Sequence, residues 1–248
     1  MKDSEHKKKY KDFNLINNRR FQRNGGLSVP GKTKTKPELI EDVTFNCALI
    51  NCRSLKPKIK SLQECFNINK LSVALLNETW FYKSDKQAKH LLQEMKNETG
   101  IRKDRDSRGG GVAIAFNSNQ IMLKKLTLKS LKTKPHFEIV AARGKLRGYK
   151  KEVNVFSCYL PPKLNRSEST DFLDTLSNAI AEAKTSSDGW FVVGGDWNNR
   201  SLTGILDMYP DLTQIKTLPI RKDNILAVSY THLRGPRDRQ KSRMPSSA

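Results

Sequence analysis

Acidic residues are scarce in this sequence. Only 25 Asp and Glu stand against 46 Lys and Arg, a formal net charge of +21 over 248 residues. A polyanion is the natural partner of such a chain, although a ribosomal protein, an acidic membrane surface and a merely soluble face fit the same balance. Cysteine is scarce too. Cys47, Cys52, Cys65 and Cys158 are too few and too scattered for a disulfide framework, and they lack the paired spacing of a zinc site. Cys47 and Cys52 lie on or near one apolar run, where cysteine acts as a small core residue. Long apolar runs are missing altogether. Nothing approaches the roughly 18 apolar residues that a spanning helix needs, and the basic first residues hold no signal-peptide core. The expectation is a soluble, intracellular protein of a reducing compartment, with no membrane partner.

The charge that is present is uneven. Residues 1–36 hold eleven Lys and Arg against three Asp and Glu, and the last 22 residues hold five against one. Lys7-Lys8-Lys9, Arg19-Arg20, Gly25-Gly26 and the alternation Lys32 to Lys36 leave too few apolar residues to offset ordering entropy. Residues 1–42 are therefore expected to be a disordered basic arm. It reads either as a nuclear-import or nucleic-acid-binding arm or as a solvated linker. The remainder is long enough for one substantial domain, and no internal repeat divides it.

Along that remainder, Val43 to Asn51 reads as a strand, Lys56 to Ile68 as a helix and Leu71 to Leu76 as a second strand. A strand, a helix and a strand so close together make an α/β unit. Residues 84–99 read as a surface helix and Arg102 to Arg108 as a polar loop. Gly109-Gly110-Gly111 then precedes the apolar run Val112 to Phe116. Three glycines there mean a permissive backbone or a close packing approach. Runs at Ile121 to Leu131, Phe137 to Arg143 and Val153 to Tyr159 form a meander, so the sheets are mixed and mainly antiparallel. Residues 168–184 carry the strongest helical spacing, with Ser167 as N-cap.

Phe191-Val192-Val193-Gly194-Gly195-Asp196-Trp197-Asn198-Asn199 follows as a buried strand that ends in a turn. Asp196 and Asn198 point the same way if the chain stays extended, side chains alternating with period two. A carboxylate and an amide placed so suit a bound water or a phosphate. A plain Asx turn after a core strand explains the same residues. What separates the two is company: Asn51, Glu78, Tyr159, Asp196 and Asn198 each stand at the C-terminal end of a strand-like run.

Five segments carry a family resemblance: Leu49 to Leu55, Leu75 to Trp80, Arg108 to Ile114, Tyr159 to Pro162 and Gly195 to Asn198. Their order and spacing resemble the endonuclease/exonuclease/phosphatase superfamily, the DNase I-like and AP-endonuclease-like fold, and most of all the endonuclease domain of non-LTR retrotransposons. The likeness spans about residues 43–226. It implies an α/β (α+β) fold: a two-layer β-sandwich of mixed, mainly antiparallel sheets, flanked by helices, with a site at the strand ends. It implies Mg²⁺ (or Mn²⁺) on Glu78, Asp196 deprotonating the attacking water and Asn198 holding that water or the phosphate. Asn51 supports the network, and Tyr159 donates toward a phosphate oxygen. Arg53, Trp197 and Arg108 are the residues it sets against phosphate or nucleic acid. The implied activity is metal-dependent nicking of DNA, in a nuclear setting. A non-catalytic, basic nucleic-acid-binding protein on the same fold is the alternative.

Two departures limit the resemblance. Arg53 stands where the family's DNA-repair members have an acidic residue. The family's machinery also ends with an Asp in a strand and a later Asp-His pair, but Ala227 follows Ile225-Leu226 where that Asp belongs, and no Asp-His dipeptide occurs. Residues 227–248 lack apolar periodicity and resemble a translated read-through tail. They are expected to lie outside the native domain, leaving residues 43–226 as a C-terminally truncated domain with little or no activity.

Overall fold

The computed structural model describes residues 13–20, 44–84, 98–105, 109–131, 136–198, 200–216 and 226–231. They form two packed sheets. The first has the order β1-β2-β3-β5-β4, from β1 (Phe13–Arg20), β2 (Thr44–Asn51), β3 (Val73–Asn77), β4 (Glu98–Lys103) and β5 (Val112–Asn117). The second has the order β10-β11-β9-β8-β7-β6, from β6 (Ile121–Lys125), β7 (Glu138–Leu146), β8 (Glu152–Tyr159), β9 (Trp190–Asp196), β10 (Leu212–Lys216) and β11 (Leu226–Thr231). Among the described strands only β2–β3 and β8–β9 pair in parallel and the other strand pairs are antiparallel; an isolated parallel bridge joins Tyr82 and Arg105. A parallel pair needs a crossover, and each has its helix: α1 (Ile59–Ile68) between β2 and β3, α2 (Arg166–Thr185) between β8 and β9. A short α3 (Thr203–Met208) precedes β10.

Period-two alternation builds this sandwich. Cys47 and Leu49 of β2, Val73 and Leu75 of β3, and Val112, Ile114 and Phe116 of β5 face Val140, Ala142, Val153, Val155 and Val192 across the gap between the sheets. The intervening Ala48, Ile50, Ala74, Leu76, Ala113 and Ala115 pack under Leu62, Cys65 and Phe66 of α1. On the other side, Ile139, Ala141, Phe156, Phe191 and Val193 lie under Phe172, Leu176 and Ile180 of α2. Strands covered on both faces read as continuous apolar runs rather than alternating ones, which is why they are visible in the sequence.

Several boundaries depart from expectation. Helix α2 is capped by Asn165, not Ser167: Asn165 Oδ1 accepts from Glu168 N at 2.9 Å while Glu168 Oε2 accepts from Asn165 N at 3.0 Å. This reciprocal capping box satisfies two otherwise unpaired donors. The Ile121 run stops as a strand at Lys125; Leu126 N donates to Ala141 O at 2.9 Å and the following loop buries Leu128 under the second sheet. Glu98–Lys103 is a strand at the sheet edge, where a helix end and a polar loop were expected; residues 85–97 of that expected helix lie outside the described residues. The basic arm supplies β1, antiparallel to β2, where no order was expected. Residues 227–231, expected outside the domain, pair within β11 between β9 and β10. Among the described residues no helix is long and apolar enough to cross a membrane.

Candidate active site at the strand ends

Strands β2 and β3 run parallel and in register, Asn51 opposite Asn77, so both deliver the following residues to one edge of the sandwich. Strands β8 and β9 do the same in the other sheet, with Tyr159 opposite Asp196. The two edges are tied together by Asn77, which is fully buried. Its Nδ2 donates to Cys158 O at 2.6 Å, and Ser157 Oγ donates to Leu76 O at 3.5 Å. The strand ends of both sheets therefore meet.

At that meeting point Asn51 Nδ2 donates to Glu78 Oε1 and to Asp196 Oδ2, each at 3.0 Å. One amide thus bridges two carboxylates brought from opposite sheets. Its own oxygen, Asn51 Oδ1, is buried without a hydrogen-bond partner. Asp196 is buried, and burial pushes its carboxyl above the usual carboxylate range. The Asn198 N–H and the Asn51 amide pull it back, Glu78 raises it further, and the Arg53 guanidinium opposes that rise. Tyr159 is pushed well up by burial and then by Glu78, Asp196 and Glu138, so its phenol stays neutral and able to donate.

The backbone around these groups is contorted. Arg53, Ser54, Glu78, Trp80 and Asn198 all have positive φ, at 41, 75, 51, 55 and 42°. Such values are uncommon for residues other than glycine and concentrate where the surroundings over-determine them. Here the surroundings are main-chain hydrogen bonds. Ser54 N donates to Glu78 O and Leu55 N to Thr79 O, both at 3.0 Å; on the other side Trp80 N donates to Gly110 O at 3.0 Å. Gly111, at φ 84°, is required by close approach: a Cβ there would lie 2.5 Å from Thr79 Oγ1. Gly195 is required similarly, since a Cβ would lie 2.3 Å from Cys158 O.

The residues expected in the site fall into groups. Asn51, Glu78 and Asp196 are brought into direct contact, with Tyr159 and Arg53 alongside. Asn198 does not continue an extended chain: β9 ends at Asp196, Asn198 N donates to Asp196 Oδ1 at 3.2 Å and Asn198 Nδ2 donates to Leu160 O at 2.8 Å. That is an Asx turn, so the turn and the carboxylate constellation coexist at the same residues. Trp197 is a correction. It is 2% exposed and packs against Phe172, ring centroids 5.6 Å apart, in the core under α2, so it cannot meet nucleic acid. Arg108 lies outside the described residues.

Sequence reasoning missed a second cluster. Arg105 Nε donates to Glu138 Oε1, and the Arg105 guanidinium lies 5.9 Å from the Tyr159 ring centroid. Glu138 is buried, and burial raises its carboxyl against the lowering pull of Arg105 and Lys103. Lys103 is itself held below its ordinary value by burial. The only signal in the sequence was Glu138 at the head of an apolar run. Among the described residues His136 is the one histidine; its Nδ1 pairs with Glu168 Oε1 at 2.9 Å, at the start of α2.

No protein-family model matches the chain, and no curated protein does. Solved structures do. The endonuclease domain of TRAS1, a telomere-specific non-LTR retrotransposon, is 17% identical with a TM-score of 0.51, covering 76% of this chain and 85% of that one. TDP2 from D. rerio, complexed with single-strand DNA product, is 12% identical with a TM-score of 0.52, covering 73% and 80%. An endonuclease/exonuclease/phosphatase from Bacteroides vulgatus is 11% identical with a TM-score of 0.54, covering 74% and 86%. Likeness at such identities concerns the fold. The chain has the fold of the endonuclease/exonuclease/phosphatase superfamily, a DNase I-like α/β sandwich.

Proposed function

We propose that this chain is a metal-dependent phosphodiesterase that nicks DNA, of the retroelement endonuclease kind. The observation that carries the reading is Asn51 joining Glu78 and Asp196 at 3.0 Å each, with its own buried oxygen unpartnered. Two carboxylates and an amide oxygen form a hard, all-oxygen donor set. That set fits Mg²⁺ or Mn²⁺, which keep several waters and need only one or two protein carboxylates. Glu78 would hold the ion, and Asn51, whose Nδ2 donates to Glu78 Oε1, would support it. When bound, such an ion stabilises the charge that develops during in-line displacement at phosphorus.

The remaining chemistry belongs to the side chains. Asp196, its carboxyl raised by burial, takes the proton of the attacking water; a base with a pKa nearer neutrality is better matched to that task. The Asn198 N–H fixes Asp196 Oδ1, leaving the opposite oxygen oriented by Asn51. The neutral Tyr159 phenol donates to a phosphate oxygen, and Arg53, exposed at the rim, supplies positive charge for the backbone. The net charge of +21 favours a polyanionic substrate, and DNA in an intracellular, nuclear setting is the reading adopted.

One observation favours a second reading, a non-catalytic nucleic-acid-binding protein. Strand β11 sets Ala227 against Gly195, one residue from Asp196, and Ala cannot supply a carboxylate there. Turnover by this chain is therefore expected to be slow. The deciding experiment incubates the chain with supercoiled plasmid and Mg²⁺, at varied salt. Slow nicking that Asp196→Ala removes supports the phosphodiesterase. Undiminished nicking by Asp196→Ala overturns the role of Asp196, and salt-dependent binding without metal-dependent cleavage decides for the second reading.

A further inference from the structure

Trp80 stands two residues beyond Glu78 and differs from the other tryptophans. It is 37% exposed, whereas Trp190 and Trp197 are 8% and 2% exposed. Its backbone is left-handed, at φ 55°, a conformation that is an outlier for a bulky residue. Exposure and strain thus coincide at one tryptophan, two residues along the chain from Glu78.

The segment is built to hold that arrangement. Residues 54–55 bond Glu78 and Thr79 from one side, and Gly110 bonds Trp80 from the other. Thr79 and Phe81, the neighbours of Trp80, are buried; Phe81 is 2% exposed, with the Arg102 guanidinium 5.5 Å from its ring centroid. Tyr82 is again outward, at 41% exposure. Residues 79 and 81 therefore anchor the segment while 80 and 82 stand in solvent. Arg53, on the loop stapled to Glu78, adds an exposed cation at the same rim.

A rigid, exposed indole beside positive charge and a phosphate-type site has a natural ligand: the flat face of an unpaired base whose backbone enters the site. Every base offers a π-face, so stacking is tolerant of sequence, and a paired base within a duplex offers none at its edge. We infer that Trp80, flanked by Tyr82 and Arg53, is a stacking platform for an unpaired nucleobase next to the phosphate bound at Glu78 and Asp196. This rests on the phosphodiesterase reading above and adds to it a preference for locally single-stranded nucleic acid.

Binding is measured in EDTA, without chemistry, on the whole 248-residue chain. The probes are an oligothymidylate of about 12 nucleotides and a blunt duplex of equal length. The oligothymidylate is expected to quench the exposed tryptophan emission of the native protein, and this quenching is absent in Trp80→Phe. Trp80→Ala is expected to weaken single-strand binding about tenfold while Trp80→Phe stays within about threefold, and duplex affinity changes little in either. An oligomer of the same length in which every position is abasic, keeping the phosphates and removing the bases, should abolish the difference between native protein and Trp80→Ala. Unchanged single-strand affinity in Trp80→Ala, equal losses on both probes, or quenching by a neutral aromatic peptide but not by the oligonucleotide would each overturn the platform. Far-UV circular dichroism of both variants guards against misfolding; should Trp80→Ala not fold, quenching of the native protein decides. Plasmid nicking in parallel separates the two readings. Quenching without any nicking removes the phosphodiesterase and leaves the platform, whereas nicking with no effect of Trp80 removes only the platform.

Discussion

Asn77 Nδ2 donates to Cys158 O at 2.6 Å, in a fully buried position between the two sheets. Each partner immediately precedes a site residue, Glu78 in one sheet and Tyr159 in the other. Together with Ser157 Oγ to Leu76 O and Asn51 Nδ2 to Asp196 Oδ2, this hydrogen bond sets how the two halves of the site face one another. Asn77→Leu would remove this buried hydrogen bond, a net cost of about 1 kcal/mol. The expected result is a melting temperature lower by roughly 2–4 °C, read by thermal denaturation. Turnover should fall by more than the loss of folded protein explains, because the two strand ends lose their common reference.

Gly111→Ala tests the triple glycine in the same way. A Cβ would meet Thr79 Oγ1 at 2.5 Å, and φ is 84°. Strain and overpacking together are expected to cost about 2–3 kcal/mol. Pairing it with Thr79→Ala removes the steric part and should recover some of the loss, leaving the part due to φ. A chemical denaturation series measures both. Full stability in Gly111→Ala would contradict the close approach.

These two positions also show what could be seen in the sequence. β2, β3, β5, β7, β8 and β9 announce themselves because both faces are covered, so their residues form apolar runs. β4 does not: Glu98-Thr99-Gly100-Ile101-Arg102-Lys103 lies at a sheet edge, paired on one side only, and needs no such run. The placement of Asn51, Glu78, Tyr159 and Asp196 at strand ends was legible because each closes or follows an apolar run. Their contacts were not, since the distance between Asn51 and Asp196 spans 145 residues of chain. Trp197 misled because it sits inside the motif. Side chains alternate along an extended chain, so the residue after an inward-turned Asp196 is carried to the opposite face, here the core beside Phe172. Arg105 and Glu138, 33 residues apart, carry no local pattern at all.

Asp196→Asn separates stability from function. Burial raises the Asp196 carboxyl above its ordinary value. A raised carboxyl favours the folded state only while protonated, so its contribution is present at low pH and is lost as pH rises through the folded value. Near neutral pH the ionised group is a net cost. Asp196→Asn should therefore melt above the native protein at pH 7, with the advantage shrinking as pH falls toward the unfolded carboxyl value of about 3.9. Activity in the same variant should vanish. A lower melting temperature at pH 7 would show that Asp196 is stabilised rather than strained in its setting.

Arg105 and Glu138 make the last test, and the sharpest in sign. Glu138 is 2% exposed and its ionised form is held by Arg105 against burial. Removing one partner of a buried pair leaves an uncompensated charge and costs about 3–5 kcal/mol. In Arg105→Leu the Glu138 carboxyl loses its main lowering influence, so its value rises further above the unfolded one. Stability should then be near native at low pH and fall as pH increases through that raised value. Adding Glu138→Gln to the same chain removes the titrating group and should flatten the pH dependence. A double-mutant cycle on melting temperatures between pH 4 and pH 8 reads both effects. Because the guanidinium also covers the Tyr159 ring, the double variant is expected to recover stability without recovering turnover. Recovery of both would limit the pair to a role in folding.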